Sequence, residues 1–404
     1  MENMTGYNLP KLRKQNEVSI KEVIYKYGPI SRSEIAEMLS LTPPTITSNV
    51  ANLIQAHLVR ECEGEDKEEK SVGRKPIMID FIPDAKYVAG VELGPYRTTL
   101  CVLDLRGHVI FSLSKPAASG NYHKMLEQLS LDIDHLWNES CVPMELAVGV
   151  GVGLPGFIEC NKGVIRTSFR VDWNNRHFAN DLSMKIGMPV LIENNARVRV
   201  IGAELLGSKI RADTIAYFFI SKGNACPLVI KNNILLGETA GAGEVGHMVM
   251  EVGGPKCDIC GNNGCLDAIA SERAIRNRAI QAMGADLKTI LETLCEDKAR
   301  PSIEEILKAQ EAGDRVIDAI VSDAVRYLGV ALSNIINFIS PQLVLVDGYI
   351  MKLESNRNLL LEITKKNVFG LNSQEVDIQF VEYDVFNGAK GAAALIIKNM
   401  FINQ

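Results

Sequence analysis

The chain has 404 residues, of which 47% are hydrophobic, and a formal net charge of −6 at pH 7. This length predicts two or three domains, and the negative charge excludes a global basic surface for nucleic acid, so any DNA contact must come from a local patch. We find no apolar run long enough to span a bilayer and no signal peptide, and the nine cysteines are scattered apart from one cluster, so we expect a cytoplasmic protein with no membrane partner.

The amino-terminal segment predicts three short helices. Residues 11–27 carry apolar side chains at helical spacing, and a Gly-Pro pair ends that helix. Ser31 and Glu34 form a capping box that starts a second helix, and Pro43 fits the first turn of a third helix that ends near Ala56. Two short helices joined by a tight turn, the second with a polar outer face, are typical of a helix-turn-helix.

A wing and a set of DNA contacts follow from the same segment. Two strand-like runs, 57–60 and 77–80, flank an acidic loop that ends in a basic clip at 73–76. Hydroxyl and amide side chains on the third helix suit phosphates and base edges, and an arginine in the clip can enter a narrow minor groove. A three-helix packing module with solvated polar faces is the alternative. We assign DNA contact to Arg32, Thr45, Thr47, Ser48, Asn49, Arg74 and Lys75.

The rest of the chain predicts an α/β fold. After Asp84, buried strand patterns alternate with amphipathic helix patterns. We expect strands at 87–94, 98–105, 146–152, 190–192, 215–219 and 343–348, and helices at 122–138, at 193–206 and from 388.

One histidine and three cysteines between residues 237 and 267 form a candidate metal site. Cys-x2-Cys is a usual spacing in zinc knuckles, and one imidazole with three thiols can close a tetrahedral site. Four unrelated residues on a glycine-rich surface loop are the alternative. We expect a structural zinc ion, because four protein ligands leave no open position for a water. The candidate ligands are His247, Cys257, Cys260 and Cys265.

The same stretch carries a family resemblance. The motifs GAGEVGH (241–247) and CGNNGCLD (260–267) resemble those of the ROK family of repressors, open-reading-frame proteins and sugar kinases, and in particular the repressors of the xylose-repressor and N-acetylglucosamine-repressor type. The family's metal motif has one residue between its first two cysteines, whereas Asp258 and Ile259 both stand there in this chain. The resemblance extends over nearly the whole chain.

The resemblance implies a domain organisation. A winged helix-turn-helix, which ROK sugar kinases lack, is expected at 1–82. A two-lobed actin-like ATPase fold of the ROK sugar-kinase type is expected at 83–404. Its lobes are expected at 83–195 with 390–404, and at 196–389.

The resemblance also implies a sugar site. Family kinases carry Glu-Asn-Asp where this chain has Glu193-Asn194-Asn195, and there the Asn binds sugar hydroxyls while the Asp is the general base. An amide has no basic form near neutral pH, so Asn195 cannot take that role. The implied sugar contacts are Asn194, Asn195, Glu244, His247 and Asp267, the last standing where the family usually has Glu.

The segments that bind nucleotide in family kinases are degenerate here. The acid of the first phosphate loop is Glu92, followed by bulky residues, and the Gly-Thr-Gly loop is replaced at 221–227, where Pro227 lacks a backbone donor. Asp347 departs from the glycine-rich adenosine contact. We therefore expect no catalytic residues and no kinase activity.

Three hypotheses follow from the sequence. The first is a DNA-binding repressor of carbohydrate genes, a homodimer or a tetramer on a double-stranded operator, with a sugar or sugar phosphate as effector. The second is an ATP-dependent ROK sugar kinase with a fused DNA-binding domain. The third is a regulator that responds to a protein partner in place of a small effector.

Overall fold

The computed structural model describes residues 9–63, 76–117, 121–168, 173–207, 210, 212–231, 233–285, 287–370 and 375–403. The chain forms two compact units. Unit 1 comprises Met1–Ile210 with Phe386–Gln404, and unit 2 comprises Arg211–Val385.

The amino-terminal part of unit 1 is a winged helix. Its three-stranded sheet has the order β1-β3-β2, and β3 is antiparallel to both neighbours. The capping box is present, because the Ser31 side chain accepts from the Glu34 backbone N–H and the Glu34 carboxylate accepts from the Ser31 N–H. The three predicted helices and the second wing strand are present, whereas the first wing strand lies at 59–63 and not at 57–60. The elements are α1 (Leu9–Tyr27), β1 (Ile30–Ser31), α2 (Arg32–Leu39), α3 (Pro43–Gln55), β2 (Val59–Glu63) and β3 (Ile77–Phe81).

A second sheet of five strands forms the body of unit 1. Its order is β10-β7-β4-β5-β6, in which β4, β5 and β6 are an antiparallel meander and β7 and β10 are parallel to β4. The strands are β4 (Tyr87–Leu93), β5 (Arg97–Asp104), β6 (Val109–Pro116), β7 (Ala147–Leu154) and β10 (Val190–Asn194), with a small hairpin of β8 (Phe157–Glu159) and β9 (Val164–Thr167). The helices are α4 (Tyr122–Ser140), α5 (Phe178–Ile186), α6 (Asn195–Leu206) and the C-terminal helix Asn387–Ile396, which continues as the π-helical turn Ile397–Ile402.

The C-terminal helix lies directly against the body sheet. A Cβ atom on Gly90 would lie 1.9 Å from the Ala389 carbonyl oxygen, and one on Gly202 would lie 2.8 Å from Gly391 Cα. These glycines let the backbones approach closely, and the second contact holds α6 in unit 1. The compact units divide at Ile210 and Arg211, whereas the lobe boundary expected from the resemblance followed residue 195.

The winged helix and the C-terminal helix share one hydrophobic core. The Phe81 ring packs 6.0 Å from the Tyr25 ring and 5.4 Å from the Phe401 ring, measured between centroids. The buried Lys21 ammonium donates to the Phe401 backbone oxygen at 3.0 Å. The winged helix is therefore packed onto the body of unit 1 through an apolar contact.

Arg106, in the turn between β5 and β6, reinforces this contact. Its guanidinium pairs with Asp80 and donates to the carbonyl oxygens of Ile24 (3.4 Å) and Tyr25 (2.9 Å). It also lies 5.6 Å from the ring centroids of Tyr25 and Phe81. Arg106 thus closes the carboxyl end of α1, where a cation is favoured by the helix dipole.

Unit 2 is a second α/β layer structure. The strands follow the order β14-β13-β11-β15-β16; β12 also pairs with β11, and β15 is parallel to both β11 and β16. The strands are β11 (Thr214–Ile220), β12 (Asn224–Ala225), β13 (Leu228–Ile230), β14 (Asn233–Ile234), β15 (Leu343–Gly348) and β16 (Asp377–Phe380). The helices are α7 (Leu266–Ala270), α8 (Glu272–Gly284), α9 (Leu291–Leu294), α10 (Ile303–Glu311), α11 (Arg315–Ile339) and α12 (Glu354–Asn367).

Helix α11 is long and apolar enough to cross a membrane by length and composition, although we expected no such run. Its apolar face, from Ile317 to Ile336, is buried in the core of unit 2. The burial of this wide apolar face identifies α11 as a core helix of unit 2.

Candidate functional site

The four predicted metal ligands lie together in unit 2. The ligand atoms of His247, Cys257, Cys260 and Cys265 are all within 4.8 Å of one another. The Cys257 Sγ atom lies 3.9 Å from His247 Nδ1, and the Cys260 and Cys265 Sγ atoms are 3.5 Å apart. The edges of a tetrahedron around zinc are about 3.6–3.8 Å for ligands of this type. The cluster therefore has a donor set that could hold a metal ion, and these two edges are close to the lengths that zinc needs.

Backbone geometry around two glycines produces this cluster. The Cys257 N–H donates to the Asn262 carbonyl at 2.8 Å, and the Gly261 N–H donates back to the Cys257 carbonyl at 2.9 Å. Gly264 has a φ of +77°, and a Cβ atom there would lie 1.6 Å from the Glu251 carbonyl oxygen, so only glycine fits. The extra residue between the first two cysteines is accommodated in this turn, and all three thiols reach the cluster.

The thiols differ in their environment. A backbone N–H from Asn262 lowers the pKa of the exposed Cys260 thiol, while burial raises the pKa of Cys265 to about 12. A doubly charged cation deprotonates coordinating thiols, so metal uptake by such a cluster releases protons.

The same cluster determines where three predicted sugar contacts lie. Glu244 precedes the short 3₁₀ turn Val245–His247, which ends at a candidate metal ligand. Cys265 is the N-cap of α7, which puts Asp267 in the first turn of that helix. Holding His247 and Cys265 together therefore fixes the backbone next to both acidic side chains.

Asp267 is buried against glycines. Its Oδ1 atom accepts from the Asn224 backbone N–H at 2.7 Å. A Cβ atom on Gly246 would lie 2.3 Å from Oδ1, and one on Gly223 would lie 2.8 Å from Oδ2. Burial raises the pKa of this carboxyl, against the opposing effects of the Asn224 N–H and His247.

The two predicted sugar contacts of unit 1 start a helix. The Asn194 side-chain oxygen caps α6 by accepting from Ala196 N–H at 2.9 Å, and its Nδ2 donates to the Gly156 carbonyl at 3.0 Å. Asn195 is the first helical residue and is half-buried. The preceding Glu193 is buried and accepts from the Asn194 N–H at 2.7 Å, and burial raises its pKa. Asn194 and Asn195 belong to unit 1, whereas Glu244, His247 and Asp267 belong to unit 2.

The segment that matches the first phosphate loop of family kinases contains a buried ion pair, which the sequence did not reveal. The Arg199 Nη2 atom donates to both carboxylate oxygens of Glu92, at 2.9 and 2.8 Å, and both side chains are buried. A Cβ atom on Gly388 would lie 2.1 Å from the Glu92 carboxyl carbon. The acid that stands where family kinases hold magnesium is thus already neutralised by an arginine.

In Ser221 to Pro227, the segment that matches the second phosphate loop of family kinases, three backbone N–H groups are bonded within the protein. The Ser221 N–H donates to the Gly223 carbonyl at 3.2 Å, the Asn224 N–H to Asp267, and the Cys226 N–H to the Gly243 carbonyl at 2.7 Å. Pro227 has no N–H. A phosphate cradle needs several converging free N–H groups, and these three are not available to a phosphate.

The third nucleotide-contact position is part of the core of unit 2. Asp347 follows the middle of β15 and is fully buried. Its Oδ2 atom accepts from the Tyr217 hydroxyl at 2.7 Å. The departure from the glycine-rich pattern therefore places a buried hydrogen bond where family kinases contact adenosine.

The predicted DNA contacts on α3 are only partly free. Thr47 and Ser48 are exposed, whereas Thr45 and Asn49 are half-buried. The Asn49 Nδ2 atom donates to the Thr45 carbonyl at 2.8 Å. The Arg32 guanidinium, at the start of α2, pairs with Glu61 of the wing at 2.7 Å. Arg74 and Lys75 lie outside the described residues.

Comparison with protein-family models decides the family. A model described as ROK family matches residues 88–399. The chain belongs to the ROK family. Its winged helix precedes the matched region, and the five-stranded sheet of unit 1 and all of unit 2 fall within it.

Curated ROK relatives of this chain carry regulator names. The xylose repressor of Bacillus subtilis (strain 168) is 28% identical over 342 residues, which cover 84% of this chain and 84% of that protein. The DNA-binding transcriptional dual regulator NagC of Escherichia coli (strain K12) is 24% identical over 403 residues, which cover 98% of this chain and 95% of that protein.

Solved structures show the same fold in regulators and kinases. A ROK family transcriptional regulator described as a homologue of the E. coli MLC protein has a TM-score of 0.80 and 24% identity, and the match covers 97% of each chain. A ROK family glucokinase from Streptomyces griseus in complex with glucose and AMPPNP has a TM-score of 0.66 and 20% identity, covering 76% of this chain and 98% of the glucokinase. Of these two matches, that of the regulator extends over nearly all of this chain.

Proposed function

We propose that this chain is a DNA-binding transcriptional regulator, a repressor of genes for carbohydrate uptake or catabolism, whose DNA affinity is changed by a bound sugar. The observation that carries the proposal is a winged helix joined to a ROK body in which Arg199 pairs with Glu92 and three N–H groups of the 221–227 segment are bonded within the protein. The names of the curated relatives support the same function.

We propose that five side chains contact the hydroxyl groups of the sugar. Carboxylates and amides suit hydroxyls, because each accepts or donates in fixed directions. Family membership supports this set, since these positions match the motifs with which ROK proteins hold sugars. The five are Asn194, Asn195, Glu244, His247 and Asp267.

Two independent features argue against catalysis. Asn195 replaces the general base, whose contribution to the rate is typically about 10²–10⁴-fold. The Glu92–Arg199 pair and the occupied donors of the 221–227 loop oppose binding of the phosphate donor. Asn195→Asp should therefore not create a kinase in a coupled assay with ATP, magnesium and several hexoses and pentoses.

A structural zinc ion and a dimer complete the proposal. The spacing and donor set of His247, Cys257, Cys260 and Cys265 support zinc. A homodimer would read two half-sites with its two winged helices, with α3 in the major groove and the clip at Arg74 in the minor groove. A regulator of this kind works in the cytoplasm.

Operator binding is the first test. Selection of duplexes from a random pool by the purified protein gives a binding site, and fluorescence anisotropy at fixed salt gives its affinity. A panel of sugars and sugar phosphates is then added. We expect at least one of them to change the affinity tenfold or more. Affinity that no panel member changes would contradict the effector role and favour control by a protein partner.

Nucleotide binding is the second test. Calorimetry with ATP and magnesium should give no heat of binding, with or without the sugar that changes DNA affinity. Measurable ATP binding together with sugar-dependent turnover would overturn the proposal and favour the fused-kinase alternative.

A further inference from the structure

Asn224 is buried at the centre of the former phosphate loop. Its backbone belongs to β12, which pairs with the end of β11 through Ile220. The residue is only 4% exposed. Among the described residues, neither its Nδ2 nor its Oδ1 atom has a hydrogen-bond partner. Buried amides in folded proteins are nearly always hydrogen-bonded, so this side chain is expected to have a partner that is not part of the protein.

A buried carboxylate lies next to Asn224. The Asn224 backbone N–H donates to Asp267 Oδ1 at 2.7 Å, and its side-chain amide lies close to the same carboxylate. Gly246 has no Cβ, which would otherwise lie 2.6 Å from the Asn224 carbonyl oxygen and 2.3 Å from Asp267 Oδ1. Small residues thus hold a carboxylate and an unpartnered carboxamide side by side.

The Asp267 carboxylate and the Asn224 amide together can bind hydroxyl groups through hydrogen bonds. The carboxylate and the amide oxygen accept hydrogen bonds, and Nδ2 supplies a donor. A vicinal diol offers both a donor and an acceptor in reach of such a pair. The proposed sugar contact Asp267 is a member of the pair, so Asn224 adds to that site.

A phosphate group fits this position poorly. It needs several donors, but the N–H groups of Ser221, Asn224 and Cys226 are already bonded within the protein. Lys222 is exposed, and Arg273, whose charge acts on Asp267, lies 3.9 Å from Asp258. The buried Asp267 carboxyl would also lie next to the phosphate and disfavour its negative charge.

We propose that Asn224 is a specificity-determining effector contact and that the effector is an uncharged sugar rather than a sugar phosphate. The inference rests on the proposed function, since it names the class of effector for the same site. It assigns a binding role to a residue that replaces a loop position used for phosphate in family kinases.

The test compares wild type with Asn224→Ala and with the isosteric Asn224→Asp. The probes are xylose, glucose and N-acetylglucosamine, together with glucose 6-phosphate and N-acetylglucosamine 6-phosphate, followed by calorimetry. We expect at least one neutral sugar to bind, and to bind at least tenfold more tightly than either of the two 6-phosphates. Both variants should lose tenfold or more in affinity for that sugar. Asn233→Ala, at an exposed position of the same sheet, is the matched control and should bind like wild type.

The thermal midpoint without ligand separates binding from a structural role. Because the Asn224 amide makes no hydrogen bond within the described protein, Asn224→Ala should melt within about 2 °C of wild type. Asn224→Asp should melt lower, because it places a second buried carboxyl beside Asp267. Unchanged sugar affinity in both variants would overturn the role of Asn224 but leave the proposed function intact. Tighter binding of a 6-phosphate would overturn the uncharged class. No response of wild-type DNA binding to any probe or other sugar would instead count against the proposed function.

Discussion

The ion pair between Glu92 and Arg199 gives a stability prediction that can be worked out from the structure. The side chains are 5% and 8% exposed, and the arginine contacts both carboxylate oxygens. At 4 Å and an effective dielectric constant of about 20, two unit charges attract by about 4 kcal/mol. Removing one partner leaves the other charge buried without compensation, which typically costs about 3–5 kcal/mol.

We therefore expect Arg199→Met and Glu92→Gln each to lower the free energy of unfolding by about 3–5 kcal/mol. The double variant Glu92→Met/Arg199→Met should lose far less than the sum, because replacing a buried pair by apolar side chains is often neutral or stabilising. The coupling energy from this double-mutant cycle should exceed about 2 kcal/mol.

The assay is urea unfolding followed by tryptophan fluorescence. Both tryptophans of the chain, Trp137 and Trp173, belong to unit 1, so the signal reports on the unit that contains the pair. Arg166→Met is the matched control. Its pair with Glu159 spans 3.7 Å and its side chain is 59% exposed, so it should change stability by about 0–1 kcal/mol. Single variants at the buried pair that behave like this control would refute the reasoning.

Three further predictions concern other parts of the chain. Cys265→Ser should reduce zinc from about one ion per chain to near none by elemental analysis, and lower the midpoint of unfolding by circular dichroism, whereas Cys295→Ser should change neither. Ser48→Ala should weaken operator binding roughly fivefold, about 1 kcal/mol, without altering stability. Arg74→Ala should weaken binding to the same operator and reduce by about one the slope of log affinity against log salt concentration. Arg106→Met should cost about 2 kcal/mol of unfolding free energy in urea, and a cost near zero would show that the turn does not brace the winged helix.

Signals that act between sequence neighbours were sufficient to predict many elements. The capping box of Ser31 and Glu34, the wing strands and the metal cluster each depend on groups between three and 22 residues apart. These features are local in the folded chain, and for that reason the helices, the wing and the metal cluster follow from the sequence.

The features that were missed are non-local. Glu92 and Arg199 are 107 residues apart, and the sequence carries no mark that pairs them. The burial of Asn224 depends on Gly246, a glycine in a different segment that leaves room for its backbone. Residue type and spacing identify candidates in such cases, but only the packed chain shows which charges meet and which amide has no partner.

The shared core between the winged helix and the C-terminal helix limits how this protein can be rebuilt. If the chain were cut after residue 82, Ile397, Phe401 and Ile402 of the body would lose the apolar side chains that cover them. The separated winged helix would in turn expose Tyr25 and Phe81. Exposed apolar patches of this kind promote aggregation. A chimera that changes DNA specificity should therefore transplant only the surface of α3 and the wing clip. To exchange the whole winged helix, the turn at Arg106 and the π-helical turn Ile397–Ile402 would have to be exchanged with it.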